Sequence, residues 1–301
     1  MGMEDRVLII GPGAIGTLMG YTFYKSGYHV DYIHRDISKK GLKCTMYKVE
    51  GGDFLSNIYR WGEIDTLSNY KYIVLATKAY DAPSAINKLL EIYPGGKLII
   101  TLQNGIGTYE YIVERVDPRF VIPMVLTYGA IKLDVCKARL GGVGQVYLGS
   151  SYVNKEVLEM LRMDLELGGV NAKIVNNIEG YRWLKTLVNA GINPVTSIFD
   201  APNKIIIENR GAWELAKSVV EEGIEVVDKM GVKLPEDPID AMKTIARETG
   251  ENISSMLQDI RGGRKTEIDY INGAIIRYGK KYGVKTPINE LLVRLIRRLS
   301  K

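Results

Sequence analysis

Apolar residues follow two alternating patterns along the first half of the chain. Six short apolar runs predict buried strands, at residues 6–10, 29–34, 43–49, 72–77, 97–102 and 120–125. Helical spacing separates several of these runs, at 14–25, 81–93 and 108–115, with Asp81 as the predicted N-cap of the second helix. This alternation predicts an α/β fold, in which helices cover both faces of a doubly wound parallel sheet.

The pattern changes after about residue 126. Glycine-punctuated extended segments at 127–149 predict an antiparallel addition to the sheet, before a helix at 154–167 and a last strand at 172–175. Long helical patterns follow, at 181–189, 210–230, 239–248, 266–282 and 288–299. We therefore predict two domains: residues 1–176 with the sheet, and residues 177–301, which are mainly α-helical.

Size and composition agree with two globular domains. The 301 residues exceed what one core usually supports, and 46% hydrophobic with 25% charged residues is ordinary for a globular protein. Because no apolar run approaches the roughly 18 residues of a membrane span, and a strand pattern begins almost at once, we expect a cytoplasmic protein without a signal peptide or membrane partner. The net charge of +5 suits anionic ligands, and no basic run with interleaved aromatic residues predicts nucleic-acid binding.

Cysteine and histidine chemistry is limited to four residues, Cys44, Cys136, His29 and His34. Both histidines fall in the second predicted strand. Two cysteines cannot build a disulfide framework or a cysteine-based metal site, so we expect reduced, structural cysteines and no bound metal. A proton donor for catalysis must therefore be Lys, Tyr, Asp or Glu.

A GxGxxG motif follows the first predicted strand and opens the first helix. Its first glycine permits a tight turn, its second admits a pyrophosphate close to the backbone, and its third lets helix and strand pack closely. Phosphates would meet free N–H groups at the positive end of the helix. The context predicts a Rossmann-type dinucleotide-binding domain. The motif consists of Gly11, Pro12, Gly13, Ala14, Ile15 and Gly16.

Charge at the end of the second strand bears on which dinucleotide binds. NAD-specific sites usually place an acidic residue there for the ribose 2′-hydroxyl, whereas this chain has Arg35, with Lys39 and Lys40 nearby. A guanidinium can hold a 2′-phosphate through paired charged hydrogen bonds, so NADP(H) is the preferred prediction. Asp36 leaves NAD(H) open as a secondary cofactor.

Further polar residues stand where a ligand is expected. Lys78 and Asn104 follow the fourth and fifth strands, and ligands of open α/β sheets bind beyond those strand ends. In the helical half, Lys185, Asn189 and Asn193 are spaced i, i+4, i+8, which places them along one helix face amid apolar residues. A polar ligand could partner such amides, although a polar helix seam or interface is the alternative.

These motifs together resemble the 2-dehydropantoate 2-reductase family, also called ketopantoate reductases. The resemblance runs in order along the whole chain, on GPGAIG, TKAY, QNGIG, WLKTLVNAGINPVTS and ENISSMLQDIRGGRKTEIDYING. It implies reduction of 2-dehydropantoate to (R)-pantoate with NADPH, in pantothenate and coenzyme A biosynthesis.

The resemblance also implies a role for each matching residue, with Lys185 as the general acid. Glu267, which we expect to open the helix predicted at 266–282, would border both cofactor and substrate. The implied substrate-binding residues are Asn104, Lys185, Asn189, Asn193, Asn203 and Ser255. The implied cofactor contacts, besides the glycine motif, are Arg35, Lys78, Asn104, Ala130 and Glu267.

The residue chemistry agrees with such a reduction. Hydride attack on a ketone builds negative charge on oxygen, which a lysine ammonium can stabilise and protonate. Two other interpretations stay open: an NADP(H)-dependent reductase of another small 2-keto acid, and a non-catalytic NADPH-sensing module. The expected partner is a small-molecule keto acid, and the apolar surface of the helical half is sufficient for a homodimer.

Overall fold

Apolar runs in the first half of the chain form the strands of one mixed sheet. The computed structural model describes residues 6–47 and 52–300. The strands within those residues are β1 (Arg6–Ile10), β2 (His29–Ile33), β3 (Lys39–Tyr47), β4 (Gly52–Tyr59), β5 (Tyr70–Leu75), β6 (Leu98–Thr101), β7 (Val121–Leu126), β8 (Gly129–Asp134), β9 (Lys137–Gly142), β10 (Val146–Leu148) and β11 (Ala172–Ile174). They pair in the order β11-β10-β7-β6-β5-β1-β2-β4-β3-β9-β8.

The central strands, from β7 across β1 to β4, all run parallel. The chain passes from β1 to β2 on one side and later returns to β5 on the other, which makes the β1–β5 boundary the topological switch point. Side chains of β1 alternate between two cores, with Val7 and Ile9 in one and Leu8 and Ile10 in the other. Because both faces are buried from Val7 to Ile10, that part of the strand is entirely apolar. The α/β prediction is confirmed.

Helices cover both faces of this sheet. Helices α1 (Ala14–Lys25) and α4 (Lys155–Leu167) contribute to one core, and α2 (Ala82–Ile92) and α3 (Thr108–Val113) contribute to the other. Asp81 precedes α2, but its side chain makes no capping hydrogen bond, contrary to the prediction. The reason is its helical backbone conformation, since a capping side chain normally needs an extended one.

Two antiparallel hairpins widen the sheet beyond its parallel centre. Strands β8 and β9 form one, within the addition predicted at 127–149, and β3 and β4 form the other. The sequence did not reveal β4, because polar residues such as Ser56 interrupt its apolar alternation. Ser56 is buried, and its hydroxyl donates to the Val30 carbonyl at 2.6 Å. Positions 48 and 49 of the predicted third strand lie outside the described residues.

A disulfide between Cys44 and Cys136 corrects the expectation of reduced cysteines. The two residues are 92 positions apart, yet their Cα atoms lie 5.0 Å apart and both side chains are fully buried. Parallel pairing of β3 with β9 aligns Thr45 with Lys137 and so brings the preceding cysteines together. Sequence spacing cannot reveal a pairing that depends on strand order.

The chain divides into two compact units, one of residues up to 178 except 104–107, and one of residues 104–107 with 179 onward. Helices of the second unit bury their apolar faces in a single core. They are α5 (Ile178–Ile198), α6 (Ile205–Glu208), α7 (Arg210–Met230), α8 (Pro238–Glu248), α9 (Ser255–Arg261), α10 (Asn272–Tyr282) and α11 (Pro287–Leu299). Among the described residues, no helix is both long enough and apolar enough to cross a membrane.

Two of these helices differ from the prediction. Helix α5 is longer than the predicted 181–189, because Pro194 lies inside it and does not end it. Helix α10 begins at Asn272 rather than at residue 266. Glu267 therefore lies in a turn before α10, where its carbonyl accepts the N–H groups of Tyr270 and Ile271.

Candidate active site

The glycine-rich turn joins β1 to α1 at the carboxyl edge of the sheet; residues 11–13 form the turn and residues 14–16 begin the helix. Gly11 has a φ of +105°, and a Cβ on Gly16 would lie 1.9 Å from the Gly11 carbonyl oxygen, so both positions require glycine. A Cβ on Gly13 would meet no atom within 4 Å, and α1 begins without a side-chain cap. The turn thus offers open space and uncapped amide donors, which fits the pyrophosphate of a dinucleotide.

Other predicted cofactor residues lie on neighbouring elements of the first unit. Arg35 and Lys78 follow β2 and β5, the strands on either side of β1. Arg35 is exposed, and its Nε donates to the Asp36 carboxylate at 3.1 Å. Ala130 lies on β8, in the hairpin whose turn reaches the glycine motif: the Cys136 N–H donates to the Pro12 carbonyl at 3.1 Å.

Helix α5 carries the predicted lysine and asparagines on one stripe. Lys185 and Asn189 are partly buried and Asn193 is buried. Burial lowers the pKa of Lys185 to about 8, and the negative charge of Glu267 acts in the opposite direction. The helix is anchored next to the lysine by Trp183, which is fully buried and meets the ring of Tyr278 edge-on at 5.2 Å.

Asn104 and Glu267 meet in the second unit, where Asn104 Nδ2 donates to the Glu267 carboxylate at 3.1 Å. The Asn104 loop is held there by a close backbone approach, since the Ile106 N–H donates to the Tyr270 carbonyl at 2.8 Å. Gly105 makes this approach feasible, because a Cβ there would lie 2.0 Å from the same carbonyl oxygen. Glu267 is only 5% exposed, so solvent screens its charge little where that charge acts on Lys185.

The remaining predicted substrate residues lie near the C-terminal part of α5. Asn203 is buried, and its Nδ2 donates to the Thr249 hydroxyl at 2.9 Å, while its Oδ1 has no partner in the described part of the chain. Ser255 is exposed at the first turn of α9. The preceding Ser254, which the sequence did not single out, caps α9 and receives a hydrogen bond from Thr196 of α5.

The second unit thus unites Lys185, Glu267 and Asn104, whereas the glycine motif, Arg35, Lys78 and Ala130 belong to the first unit. A dinucleotide-type sheet in one unit, combined with a helical unit in which a lysine lies within electrostatic reach of a buried carboxylate, is typical of one class of protein, the oxidoreductases. Sequence models of one family match both halves, "Ketopantoate reductase PanE/ApbA" over residues 7–152 and its C-terminal counterpart over 177–300. The chain belongs to the ketopantoate reductase family.

Named relatives agree with this membership, and a solved structure of another dehydrogenase shares the fold. The chain is similar to the 2-dehydropantoate 2-reductases of Pyrobaculum aerophilum, at 37% identity over 96% of both chains, and of Archaeoglobus fulgidus, at 34% identity over 97% of both. It is also similar in structure to a D-mandelate dehydrogenase solved with NADH and anilino(oxo)acetate, with a TM-score of 0.88 and 26% identity over 98% of this chain and 97% of the other.

Proposed function

We propose that the protein catalyses the NADPH-dependent reduction of 2-dehydropantoate to (R)-pantoate, in pantothenate and coenzyme A biosynthesis. The observation that carries the proposal is a partly buried lysine on α5, Lys185, within electrostatic reach of the buried Glu267, whose carboxylate also accepts a hydrogen bond from Asn104. The curated relatives that match nearly the whole chain are named for this reaction, which supports the choice of substrate.

Lys185 is the proposed general acid. The bound nicotinamide cofactor supplies the hydride, and the ε-ammonium of Lys185 stabilises the developing alkoxide and donates a proton to it. A pKa of about 8 leaves the ammonium mostly protonated at neutral pH but ready to release its proton. Glu267 keeps the lysine charged despite its burial, because a nearby negative charge favours the ammonium form.

The amides and hydroxyl around the C-terminal part of α5 are the proposed substrate-binding groups. Neither Asn189 nor Asn193 has a side-chain hydrogen bond within the described residues, so both amides are available to a ligand. Together with Asn104, the unpartnered Oδ1 of Asn203 and the hydroxyl of Ser255, they suit a small molecule with one hydroxyl and one carboxylate.

A nicotinamide dinucleotide is the proposed cofactor, bound through the glycine motif, Lys78, Ala130, Asn104 and Glu267. Arg35 is the proposed partner of the 2′-phosphate of NADP(H). Its ion pair with Asp36 is exposed on both sides, and such pairs contribute little, so the guanidinium can exchange the carboxylate for a phosphate. NAD(H) remains the secondary candidate. The structurally similar D-mandelate dehydrogenase was solved with NADH.

Substitution of the general acid is the direct test. We expect Lys185→Ala to lower turnover of 2-dehydropantoate at least about a hundredfold, because proton transfer from a positioned acid contributes on that order. NADPH binding, measured by fluorescence titration, should persist. The exposed Lys280→Ala is the matched control and should keep wild-type turnover. Near-normal turnover of the Lys185 variant would remove this residue from the role.

A reductase of another small 2-keto acid is the second candidate. The D-mandelate dehydrogenase likeness favours it, since that protein is named for a different 2-hydroxy acid and covers nearly the same length. A non-catalytic NADPH-sensing module is the third, but it would not need a lysine with a lowered pKa. We further propose a cytoplasmic location, a small keto acid as the partner rather than nucleic acid or membrane, and a homodimer.

A further inference from the structure

Pro194 interrupts the backbone hydrogen bonds of α5 next to the proposed substrate amides. A proline has no N–H, so the carbonyl four residues earlier, that of Ala190, loses its helical donor. Ala190 directly follows Asn189, and Pro194 directly follows Asn193, so the interruption lies in the stretch of α5 that carries both asparagines. The conformation of this turn therefore determines how both asparagines are placed relative to Lys185.

A side chain from another helix supplies the missing donor. Asn272, the first residue of α10, is fully buried, and its Nδ2 donates to the Ala190 carbonyl at 3.2 Å. The same amide donates to Asn289 Oδ1 at 3.0 Å. A buried carbonyl without a partner is costly, so this contact stabilises the interrupted turn.

The orientation of the Asn272 amide is itself fixed by further hydrogen bonds. Asn289 uses its Nδ2 to donate to the Val219 carbonyl at 3.1 Å and to the Glu222 carboxylate at 2.8 Å. The Glu222 carboxylate also accepts the backbone N–H groups of Ile288 and Asn289 at the start of α11. Because the donors of Asn289 are engaged, only its oxygen faces Asn272, which must present its NH₂ group.

We propose that Asn272 is a positioning residue for the substrate site. It holds the Ala190–Pro194 turn of α5 so that Asn189 and Asn193 keep a fixed orientation relative to Lys185. It lies five residues after Glu267, so the same segment carries the carboxylate that acts on Lys185 and the amide that supports α5. The inference deepens the proposed function and rests on it.

A double-mutant cycle with Pro194 tests the proposal. Asn272→Leu removes the donor at similar volume, and we expect the KM for 2-dehydropantoate to rise about tenfold while the KM for NADPH stays unchanged. Pro194→Ala restores a backbone donor to the Ala190 carbonyl, so the same Leu substitution should raise the KM much less in that background. Measurements are made well below each variant's unfolding transition, which circular dichroism establishes.

Each outcome decides the proposal. A tenfold rise that is equal in both backgrounds, an unchanged KM in Asn272→Leu, or a parallel rise in the KM for NADPH would overturn it. If the unmodified protein reduces no 2-dehydropantoate, the proposed function fails separately. Urea unfolding of the unmodified protein, Asn272→Leu, Pro194→Ala and the double variant then tests the hydrogen bond to the Ala190 carbonyl. Coupled changes in the unfolding midpoint at positions 194 and 272 support the hydrogen bond, and additive changes overturn it.

Discussion

At the scale of single residues, two opposing influences set the pKa of Lys185. Burial disfavours its charged form, whereas the carboxylate of Glu267, itself held by Asn104, favours that form. The net pKa of about 8 lies well below that of a lysine in water. A general acid is most efficient when its pKa lies near the working pH, so this environment suits proton donation.

The pH dependence of the reduction follows from this pKa. The proposed reaction needs the protonated lysine, so we expect kcat/KM for the keto acid to fall on the alkaline side with a midpoint near pH 8. Above the midpoint the decline should approach tenfold per pH unit. Steady-state assays between pH 6 and 11 measure it, and a midpoint near 10.5, the value of an ordinary lysine, would contradict the assignment.

Glu267→Gln is the matched variant for the pH measurement. The glutamine keeps an oxygen that accepts the hydrogen bond from Asn104 but removes the charge that raises the pKa of Lys185. The alkaline midpoint should therefore move to lower pH. A midpoint that stays in place would show that the carboxylate does not act on the lysine.

At the scale of elements, a substitution in the β1–α1 turn is expected to change ligand affinity without changing stability. Gly13→Ala should leave the free energy of unfolding nearly unchanged, because the added methyl group meets nothing and the backbone is extended there. The same methyl group occupies the open space proposed for the pyrophosphate, so the Kd for NADPH should rise at least about tenfold. Calorimetric titration and urea unfolding measure the two effects, and unchanged affinity would place the dinucleotide elsewhere.

The Cys44–Cys136 disulfide ties β3 to the β8–β9 turn, which in turn contacts Pro12 of the glycine motif. Replacing both cysteines by alanine should lower the free energy of unfolding by about 4 kcal/mol, because a link across some 90 residues restricts the unfolded chain strongly. Urea unfolding measures this loss. A reductant should lower the midpoint of the unmodified protein and leave that of the variant unaffected. Equal midpoints of the two proteins without reductant would argue against the link.

At the scale of the whole molecule, substrate choice separates the proposed function from its nearest rival. The proposed substrate-binding groups are several amides and one hydroxyl, which suit the hydroxyl and carboxylate of 2-dehydropantoate better than an aromatic ring. We expect kcat/KM for 2-dehydropantoate to exceed that for phenylglyoxylate at least about a hundredfold, because unpaired buried amides disfavour the apolar substrate. A panel of keto acids with NADPH and NADH measures this, and a preference for phenylglyoxylate would support the second candidate.

Much of the architecture could be predicted because the signals are local. The strand Arg6–Ile10 and the helices Ala14–Lys25 and Arg210–Met230 have the bounds that their apolar spacing predicts. The lysine–asparagine stripe lies on one helix because 3.6 residues per turn place i, i+4 and i+8 on one face. The resemblance identified the family because its motifs extend along both units.

The sequence by itself determined the periodicity of the elements, the glycine turn, the family and the residue types available for catalysis, since each depends on neighbours within a few positions. Tertiary structure alone decided the disulfide, the β4 strand, the bond between Asn104 and Glu267, and the partner of the Ala190 carbonyl. Each of these features depends on contacts between groups that are distant in sequence. Polar residues such as Ser56 become buried only because such contacts give them a hydrogen-bond partner. The pKa of Lys185 belongs with them, because burial and a carboxylate 82 positions away arise only when the chain folds.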